Sequence, residues 1–241
     1  MNCISSHSIQ LARSATELGI INPVVCLFHH VEVQQAPYNT YDKEIKTLME
    51  KVSSSSGSLL EQPQVQGFRQ IFVNMGYEKV IPAGERLFKA VQEKGFKSID
   101  SIVDAYNLVA IEAVAGLGMH DASRYLTASE PLTIWRSEGA DKIIPLGKTK
   151  EEKVKRNDLV YGFRNRKNNE IIAWLGQRDK DSATWRVTEK TTSLLFVVLG
   201  NANTTQEYNE AICTKTFELL KKSCPQVEMK LLPIVGQTSS V

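Results

Sequence analysis

Apolar residues return at helical spacing along several stretches of the chain, and this pattern is its clearest structural signal. Leu87, Phe88 and Val91 share one face and are followed by Gly95, which is typical of an amphipathic helix with a glycine stop. A less regular pattern predicts a short helix near the N-terminus. The helices predicted in this way cover residues 8–18, 41–52, 68–75, 84–94 and 205–222.

Short runs of apolar and β-branched residues alternate with turn residues elsewhere, most densely after Leu132, and such runs are typical of strands. The predicted strands cover residues 23–33, 132–135, 142–146, 159–163, 171–175, 184–187, 193–199 and 227–232. The chain thus has a strand, then helices, then a strand-rich half, and finally a helix and a strand. This order favours an α+β fold, a single domain with helices packed on a mixed β-sheet.

The composition is that of an ordinary globular protein and excludes some classes of function. A chain of 241 residues can bury its own core, and a net charge of +2 is too small for a polycationic nucleic-acid binder. The longest apolar runs, 24–28 and 194–199, are too short to cross a membrane. The four cysteines lack metal-ligand spacing, so we expect reduced thiols, no metal site and a cytoplasmic protein.

One stretch, residues 98–121, places polar groups in an otherwise apolar run. Ser98 is predicted to cap a helix that ends in a glycine-rich turn containing Gly116 and Gly118. Polar groups in such surroundings usually form hydrogen bonds within the protein or take part in its function. The three groups are Asp104, Asn107 and His120. Asp104 either ties down a loop or belongs to a site, and the sequence favours neither reading.

Motifs for several common activities are absent. The chain has no GxxxxGK[ST], GxGxxG, GxSxG or HExxH pattern, which argues against nucleotide hydrolysis, dinucleotide binding and the common hydrolases. What remains is a scatter of polar residues near the ends of predicted elements, each of which also suits a surface ion pair or a turn. These residues are Arg136, Glu138, Arg178, Asp179, Asp181, Thr188, Thr191 and Thr192.

Residues 148–167 form the sharpest charge feature of the chain. Eight Lys and Arg residues stand against three acidic residues, which gives a local charge of +5 (8 − 3). Such a segment is either a pair of solvated loops or a contact surface for a phosphate backbone. The residues predicted to form such a contact surface are Lys148, Lys150, Lys155, Arg156, Arg164, Arg166 and Lys167.

Four segments carry recognisable patterns. They are FRQIFVNMGYEKVIPAGERLFKAV, then SIDSIVDAYNLVAIEAV with a VDxxN motif, then WRSEGADKIIPLG, and finally VYGFRNRKNNEIIAWLGQRDKDSATWRVTEKTTSLLFVV. In this order they resemble the B3/B4-type tRNA-binding and editing module of the phenylalanyl-tRNA synthetase beta subunit and its free-standing relatives. The resemblance covers residues 69–220 and implies that module's fold. Residues 1–66 are expected to form an N-terminal extension, and residues 236–241 a frayed tail.

The resemblance implies a protein that binds the acceptor end of tRNA and hydrolyses tRNA charged with the wrong amino acid. The chain is too short for a synthetase catalytic domain as well, so such a protein acts in trans, and a synthetase is a second candidate partner. The chemistry requires no cofactor, because the ester is labile and needs only a held substrate, an oriented water and a stabilised oxyanion. The alternatives are a non-catalytic module that binds tRNA or an amino acid, and an unrelated enzyme on the same fold.

The same resemblance assigns roles to individual residues. His120 takes the place of the family's histidine in a turn, where a group that titrates near neutral pH donates to the ester carbonyl or positions water. Asn107 holds the ribose or that water, and Glu138 accepts from the substrate's amino group. Besides these three catalytic residues, the expected substrate-binding residues are Asp104, Arg136, Arg178, Thr188 and Thr191.

Two departures from the family pattern affect the expected pocket. Asn107 and His120 lie further apart than in the synthetase motif. Trp174 and Leu175 stand where the synthetase has small residues in one strand. Their bulk predicts a smaller or re-aimed amino-acid pocket, and a specificity for tyrosine is therefore not expected to carry over.

Overall fold

Two β-sheets and a layer of helices make up residues 7–54, 57–165 and 169–235, which the computed structural model describes. The strands are β1 (Ile9–Leu11), β2 (Val24–His29), β3 (Gly116–Asp121), β4 (Leu132–Arg136), β5 (Lys142–Ile143), β6 (Glu152–Lys153), β7 (Leu159–Phe163), β8 (Glu170–Leu175), β9 (Lys180–Asp181), β10 (Ser193–Leu199) and β11 (Glu228–Leu231). The helices are α1 (Arg13–Thr16), α2 (Asp42–Ser54), α3 (Pro63–Asn74), α4 (Ala83–Lys94), α5 (Ser101–Ala113) and α6 (Gln206–Ser223). The predicted α+β class is confirmed.

The strands form two principal sheets instead of the single mixed sheet that the sequence predicted. The first has the order β1-β4-β7-β8-β9 and is mixed, since β1 runs parallel to β4 and the other neighbours are antiparallel. The second has the order β11-β2-β10-β3 and is antiparallel throughout. Strands β5 and β6 pair separately as a short hairpin.

Alternation along β10 explains how the layers stack. Leu195 belongs to the core that also contains Ile134 of the first sheet. Phe196 points the other way and packs in a core with Val109 of α5 and Ile212 of α6. Because successive strand residues face opposite sides, the antiparallel sheet is apolar on both faces and lies between the helices and the mixed sheet.

The start of α5 differs from the prediction. Asp100, not Ser98, is its N-cap, and Asp100 Oδ1 accepts the backbone N–H groups of Ile102 at 3.0 Å and Val103 at 2.8 Å. Both residue types cap helices well, so the sequence pattern alone did not distinguish them.

The glycine-rich segment after α5 is a strand, and the predicted turn is wrong. Strand β3 pairs with β10 from Gly116 to Asp121. Its glycines make room for aromatic groups: a Cβ on Gly116 would lie 2.2 Å from the Phe68 ring, and one on Gly118 would lie 2.0 Å from the Tyr161 hydroxyl. Glycine inside a strand often marks such a close approach.

Two further elements were misjudged from local pattern. The helix predicted over residues 8–18 is instead strand β1 followed by the single turn α1, because β1 pairs with β4, which is remote in sequence. The strand predicted over 184–187 is a 3-10 turn at Ala183–Trp185, whose Trp185 is fully buried.

The residues expected to form an N-terminal extension are part of the same sheets and helices. Strand β2 lies between β10 and β11, and helix α3 crosses the expected boundary at residues 66–69. The predicted frayed tail, 236–241, lies outside the described residues. No helix within the described ranges has the length and apolar character that crossing a bilayer requires.

Candidate active site

A cavity of about 180 Å³ lies between β3, β8, β9 and the helices α4 and α5. Most of its lining is apolar and includes Phe68, Leu87, Ala110, Ala115, Leu117, Ala173, Leu175 and Leu199. Its acidic and phenolic groups are Tyr106, Tyr161, Asp179 and Asp181. The cavity is thus an apolar space with a few polar groups, which is the usual make-up of a small-molecule site.

Strand β8 directs Ala173 and Leu175 towards the cavity, which Trp174 also lines, while the indole ring of Trp174 packs in the cluster on the other face of the strand. Ala173 belongs to the core between the sheets, whereas Trp174 packs with Val160 on the opposite face. Trp174 Nε1 donates to Asp158 Oδ2 at 2.6 Å, which fixes the ring on that face. Leu175 and Trp174 both line the cavity, although the indole ring of Trp174 packs mainly on the other face. The expected effect of their bulk on the pocket stays a prediction.

The two acidic residues of the lining differ in their partners. Asp179 accepts from Arg86 Nη2 at 3.2 Å, and backbone N–H groups of Gly176 and of Ala83 at the start of α4 also bind it. No group in the described part of the chain donates to the carboxylate of Asp181.

Asp181 therefore stands as a free carboxylate beside the cavity. Asp181 is exposed on β9 by its surface area, yet the many protein atoms around its carboxylate reduce its hydration. This desolvation raises the pKa of Asp181 to about 6. A carboxylate with such a pKa is partly protonated just below neutral pH, which is the range that a general base needs.

Tyr161 and His120 form a hydrogen-bonded pair at the cavity wall, with Tyr161 Oη and His120 Nε2 2.7 Å apart. His120 is 1% exposed, and burial lowers its pKa to about 3. Burial, reinforced by the charge of Asp181, raises the pKa of Tyr161 well above its usual range. Both groups are consequently uncharged at physiological pH.

Tyr106 lines the same cavity but has a different partner. Its hydroxyl donates to the backbone carbonyl of Leu117 at 3.0 Å. A carbonyl oxygen only accepts hydrogen bonds, so Tyr106 must be the donor in this pair. Its hydroxyl proton is therefore not available to a ligand unless this bond breaks.

The described residues contain no group of three or more His, Cys, Asp or Glu side chains arranged to hold a metal ion. The ionisable side chains that line the cavity are Tyr106, Tyr161, Asp179, Lys180 and Asp181.

The model of the B3/4 domain family matches residues 70–216, which is more than half of the chain. The chain belongs to the B3/4 domain family. A solved structure with the same fold is an N-terminal fragment of the phenylalanyl-tRNA synthetase beta subunit from Pyrococcus horikoshii, with a TM-score of 0.50 and 11% identity. The alignment covers 95% of this chain and 51% of that fragment, so the chain spans about half of the fragment's length. No curated protein matches.

The B3/4 domain does not gather the three predicted catalytic residues at its cavity. His120 lies in strand β3 behind Tyr161, and its lowered pKa contradicts the expected titration near neutral pH. Asn107 is half-buried on α5 and Glu138 is exposed after β4, and neither lines the cavity. The catalytic roles given to Asn107 and Glu138 stay predictions.

Asp104 has contacts that favour its structural reading. Its side chain is fully buried, Oδ1 accepts the backbone N–H of Ile99 at 2.9 Å, and Oδ2 accepts the hydroxyl of Tyr38. Both carboxylate oxygens thus tie the start of α5 to neighbouring loops, and neither is turned to the cavity.

The other predicted substrate-binding residues lie outside the lining of the B3/4 cavity as well. Thr188 and Thr191 form a turn at the end of β3, where Thr191 Oγ1 donates to Asp121 Oδ2 at 2.5 Å. Arg178 is exposed in the loop between β8 and β9, and Arg136 ends β4. Their roles with substrate also stay predictions.

The predicted tRNA-binding residues that the structure describes are all exposed. They are Lys148, Lys150, Lys155, Arg156 and Arg164, while Arg166 and Lys167 lie outside the described residues. The acidic residues of the same segment are occupied: Glu151 pairs with Lys142, Glu152 pairs with Lys180, and Asp158 accepts from Tyr77 and Trp174. The segment's positive charges therefore have few local carboxylates to neutralise them.

Residues 144–146, which lie just before this basic segment, are hydrogen-bonded to the strand that carries Asp181 and to the residues after it. Leu146 N donates to the carbonyl of Asp181 at 2.8 Å, and Ala183 N donates to the carbonyl of Ile144 at 2.8 Å. The exposed basic surface and the free carboxylate are thus neighbours in the fold.

Sequence reasoning left Tyr106 and Tyr161 out of the site and kept Asp181 only among scattered polar residues. Tyr106 and Tyr161 each lie within an apolar pattern, where a tyrosine reads as a core residue. The dense charges of the RDKD segment from Arg178 to Asp181 were the one available signal, because acidic residues beside a short strand are often exposed for use.

Proposed function

We propose that this B3/4 domain acts in trans as an editing protein that hydrolyses the ester of mischarged aminoacyl-tRNA. The observation that carries the proposal is the unpaired carboxylate of Asp181 beside an apolar cavity. The resemblance to a synthetase editing module supports the choice of substrate. Such a substrate implies action in the cytoplasm, where tRNA is charged, with a synthetase as a second candidate partner.

The size of the cavity suits one amino-acid side chain. An apolar cavity of about 150 Å³ is known to hold a benzene ring, and this one has about 180 Å³. It is too small to enclose an adenosine as well. The aminoacyl group would therefore enter the cavity, with the ribose and the rest of the tRNA outside.

Asp181 takes the role of general base in this proposal. The carboxylate removes a proton from a water molecule as the water's oxygen attacks the ester carbonyl carbon. The bond between that carbon and the ribose oxygen then breaks, and the proton passes to the ribose oxygen. The products are a free amino acid and uncharged tRNA, and the protein returns to its starting state. A positioned base of this kind contributes roughly a hundredfold or more to a rate.

The basic segment is proposed to hold the tRNA. Lys148, Lys150, Lys155 and Arg156 are exposed, and their positive charges would contact backbone phosphates of the RNA. Backbone hydrogen bonds join residues 144–146 to residues 181–183. RNA bound along this segment would therefore have its acceptor end close to Asp181.

The direct test is hydrolysis of a panel of aminoacyl-tRNAs that carry correct and incorrect amino acids. We expect the protein to release amino acid from at least one mischarged member faster than the spontaneous reaction, with no requirement for added metal or nucleotide. Ester loss is measured with labelled amino acids under single-turnover conditions. Binding of tRNA without hydrolysis of any member would favour the non-catalytic binding module instead.

Binding of tRNA should weaken as salt is added, since phosphate contacts release counterions. Replacing Lys148, Lys150, Lys155 and Arg156 by Ala should make the slope of log affinity against log salt less steep by about 3. The matched control replaces four exposed lysines elsewhere, Lys43, Lys46, Lys94 and Lys97. Equal slopes in both quadruple variants, measured by filter binding, would contradict the proposed tRNA surface.

A further inference from the structure

We propose that Tyr161 is a catalytic residue whose hydroxyl stabilises the oxyanion, and that His120 is a positioning residue that frees the hydroxyl proton for this task. The inference rests on the proposed hydrolysis and adds a component that sequence comparison did not suggest. It reverses the expected arrangement, in which His120 itself touches the substrate.

The geometry puts Tyr161, not His120, in contact with the cavity. Both residues are almost completely buried, with 2% of Tyr161 and 1% of His120 exposed, but Tyr161 lines the cavity and His120 does not. The missing side chain of Gly118 allows this arrangement, since a Cβ there would lie 2.0 Å from Tyr161 Oη and 2.8 Å from His120 Nε2. Any influence of His120 on a substrate must therefore pass through the hydroxyl of Tyr161.

The hydrogen-bonding options of His120 favour one tautomer. A neutral imidazole carries its proton on either Nε2 or Nδ1, and the other nitrogen accepts. The bond of His120 within the described residues is at Nε2, to Tyr161 Oη. With the proton on Nε2, the N–H of His120 has Tyr161 Oη as its acceptor, whereas an N–H on Nδ1 would have no acceptor among the described residues. His120 therefore carries its proton on Nε2 and donates to Tyr161.

This direction leaves the proton of Tyr161 available. A hydroxyl has one proton and two lone pairs, so Tyr161 accepts from His120 and still donates elsewhere. The other phenol of the lining, Tyr106, donates its hydroxyl proton to the carbonyl of Leu117. Of the two phenols, only Tyr161 can thus donate to a ligand without breaking a hydrogen bond of the protein.

Tyr161 would act on the ester oxygen that becomes negative. As water adds to the carbonyl carbon, the carbonyl oxygen gains charge and the O–H of Tyr161 donates to it. The raised pKa of Tyr161 keeps its proton in place, so no proton leaves the residue at any step. When the ribose oxygen departs, the carbonyl forms again and the hydrogen bond weakens. Such a bond is stronger in the transition state than in the ground state, which is the requirement for catalysis.

The closing experiment compares Tyr161→Phe with Tyr106→Phe in the full chain. Each variant removes one hydroxyl from the same cavity and keeps the ring. Loss of an oxyanion donor typically lowers kcat by roughly a hundredfold to a thousandfold, and we expect this for Tyr161→Phe with KM little changed. Tyr106→Phe should lower kcat at least about tenfold less than Tyr161→Phe does, because the hydroxyl that it removes donates to the carbonyl of Leu117 and not to the substrate.

The role of His120 is tested by a conservative rescue and by its tautomer. The amide of Gln can donate to Tyr161 as Nε2–H does, so His120→Gln should retain much of the activity that His120→Ala loses. Nitrogen-15 NMR, with His120 assigned by its loss in His120→Gln, should find the proton on Nε2. A proton on Nδ1, or full activity of Tyr161→Phe, would overturn this inference while leaving hydrolysis itself intact. A wild-type protein that hydrolyses no ester would overturn the proposed function and this inference together.

Discussion

The Asp181→Asn variant should lose at least about a hundredfold in kcat/KM for aminoacyl ester hydrolysis, because an amide cannot take a proton from water. No described residue donates to the carboxylate of Asp181, so the substitution breaks no hydrogen bond among those residues. The fold should therefore survive, and the thermal unfolding midpoint serves as the check. Retained activity in Asp181→Asn would remove Asp181 from the mechanism.

The pH dependence gives an independent reading of the same residue. With the pKa of Asp181 raised to about 6, the base is ionised above that pH and protonated below it. In the wild type, kcat/KM should fall about tenfold per unit as pH drops below 6. The residual activity of Asp181→Asn should lack this inflection.

A second carboxylate supplies the control. Glu138 is exposed, does not line the cavity and was the acidic residue predicted from the sequence. Glu138→Gln should leave kcat/KM and its pH profile unchanged. If Glu138→Gln loses activity and Asp181→Asn keeps it, the assignment made from family resemblance is the better one.

His120 should make the protein sensitive to acid. Its pKa is 6.5 in an unfolded chain and about 3 in the folded protein, so the unfolded state binds the proton more readily. The stabilisation from the neutral, buried imidazole is fully present above pH 6.5. It is lost progressively as pH falls from 6.5 towards 3, by on the order of 5 kcal/mol at about 1.4 kcal/mol per pKa unit.

The measurement compares unfolding free energies of the wild type and His120→Gln between pH 7 and pH 4 by urea denaturation. Gln does not titrate, so the difference between the two proteins should shrink or reverse as pH falls. The comparison matters because Asp181, whose pKa is raised, contributes the opposite trend between pH 6 and pH 3.8. His30→Gln, at an exposed position, is the control. A constant difference across the range would contradict the burial effect.

Much of the fold was accessible from local pattern because its cause is local. The amphipathic face of α4 and the apolar runs of β7 and β10 were predicted nearly at their observed bounds. The errors arose where a partner remote in sequence decides the structure. Gly118 looks like a turn residue until the Tyr161 hydroxyl that fills its missing side-chain space is known.

The candidate site depends even more than the fold on contacts between residues that are remote in sequence. Family resemblance directed attention to His120, and the structure does bring His120 close to the cavity, but one layer behind it. Tyr161 carried no signal because a tyrosine in an apolar strand reads as core. The bulk of Trp174 was noticed correctly, yet the face to which it points depends on strand register, which the sequence did not supply.

The backbone bonds between residues 144–146 and 181–183 have a consequence for how relatives of this protein can diverge. The basic segment, which is proposed to bind RNA, follows just after these residues 144–146. It therefore begins beside the strand that carries Asp181. Exchanging this segment between homologues would shift the carboxylate together with the basic side chains. Substrate choice and reactivity would then change together between relatives. Grafting the basic segment alone should therefore not transfer either property in full.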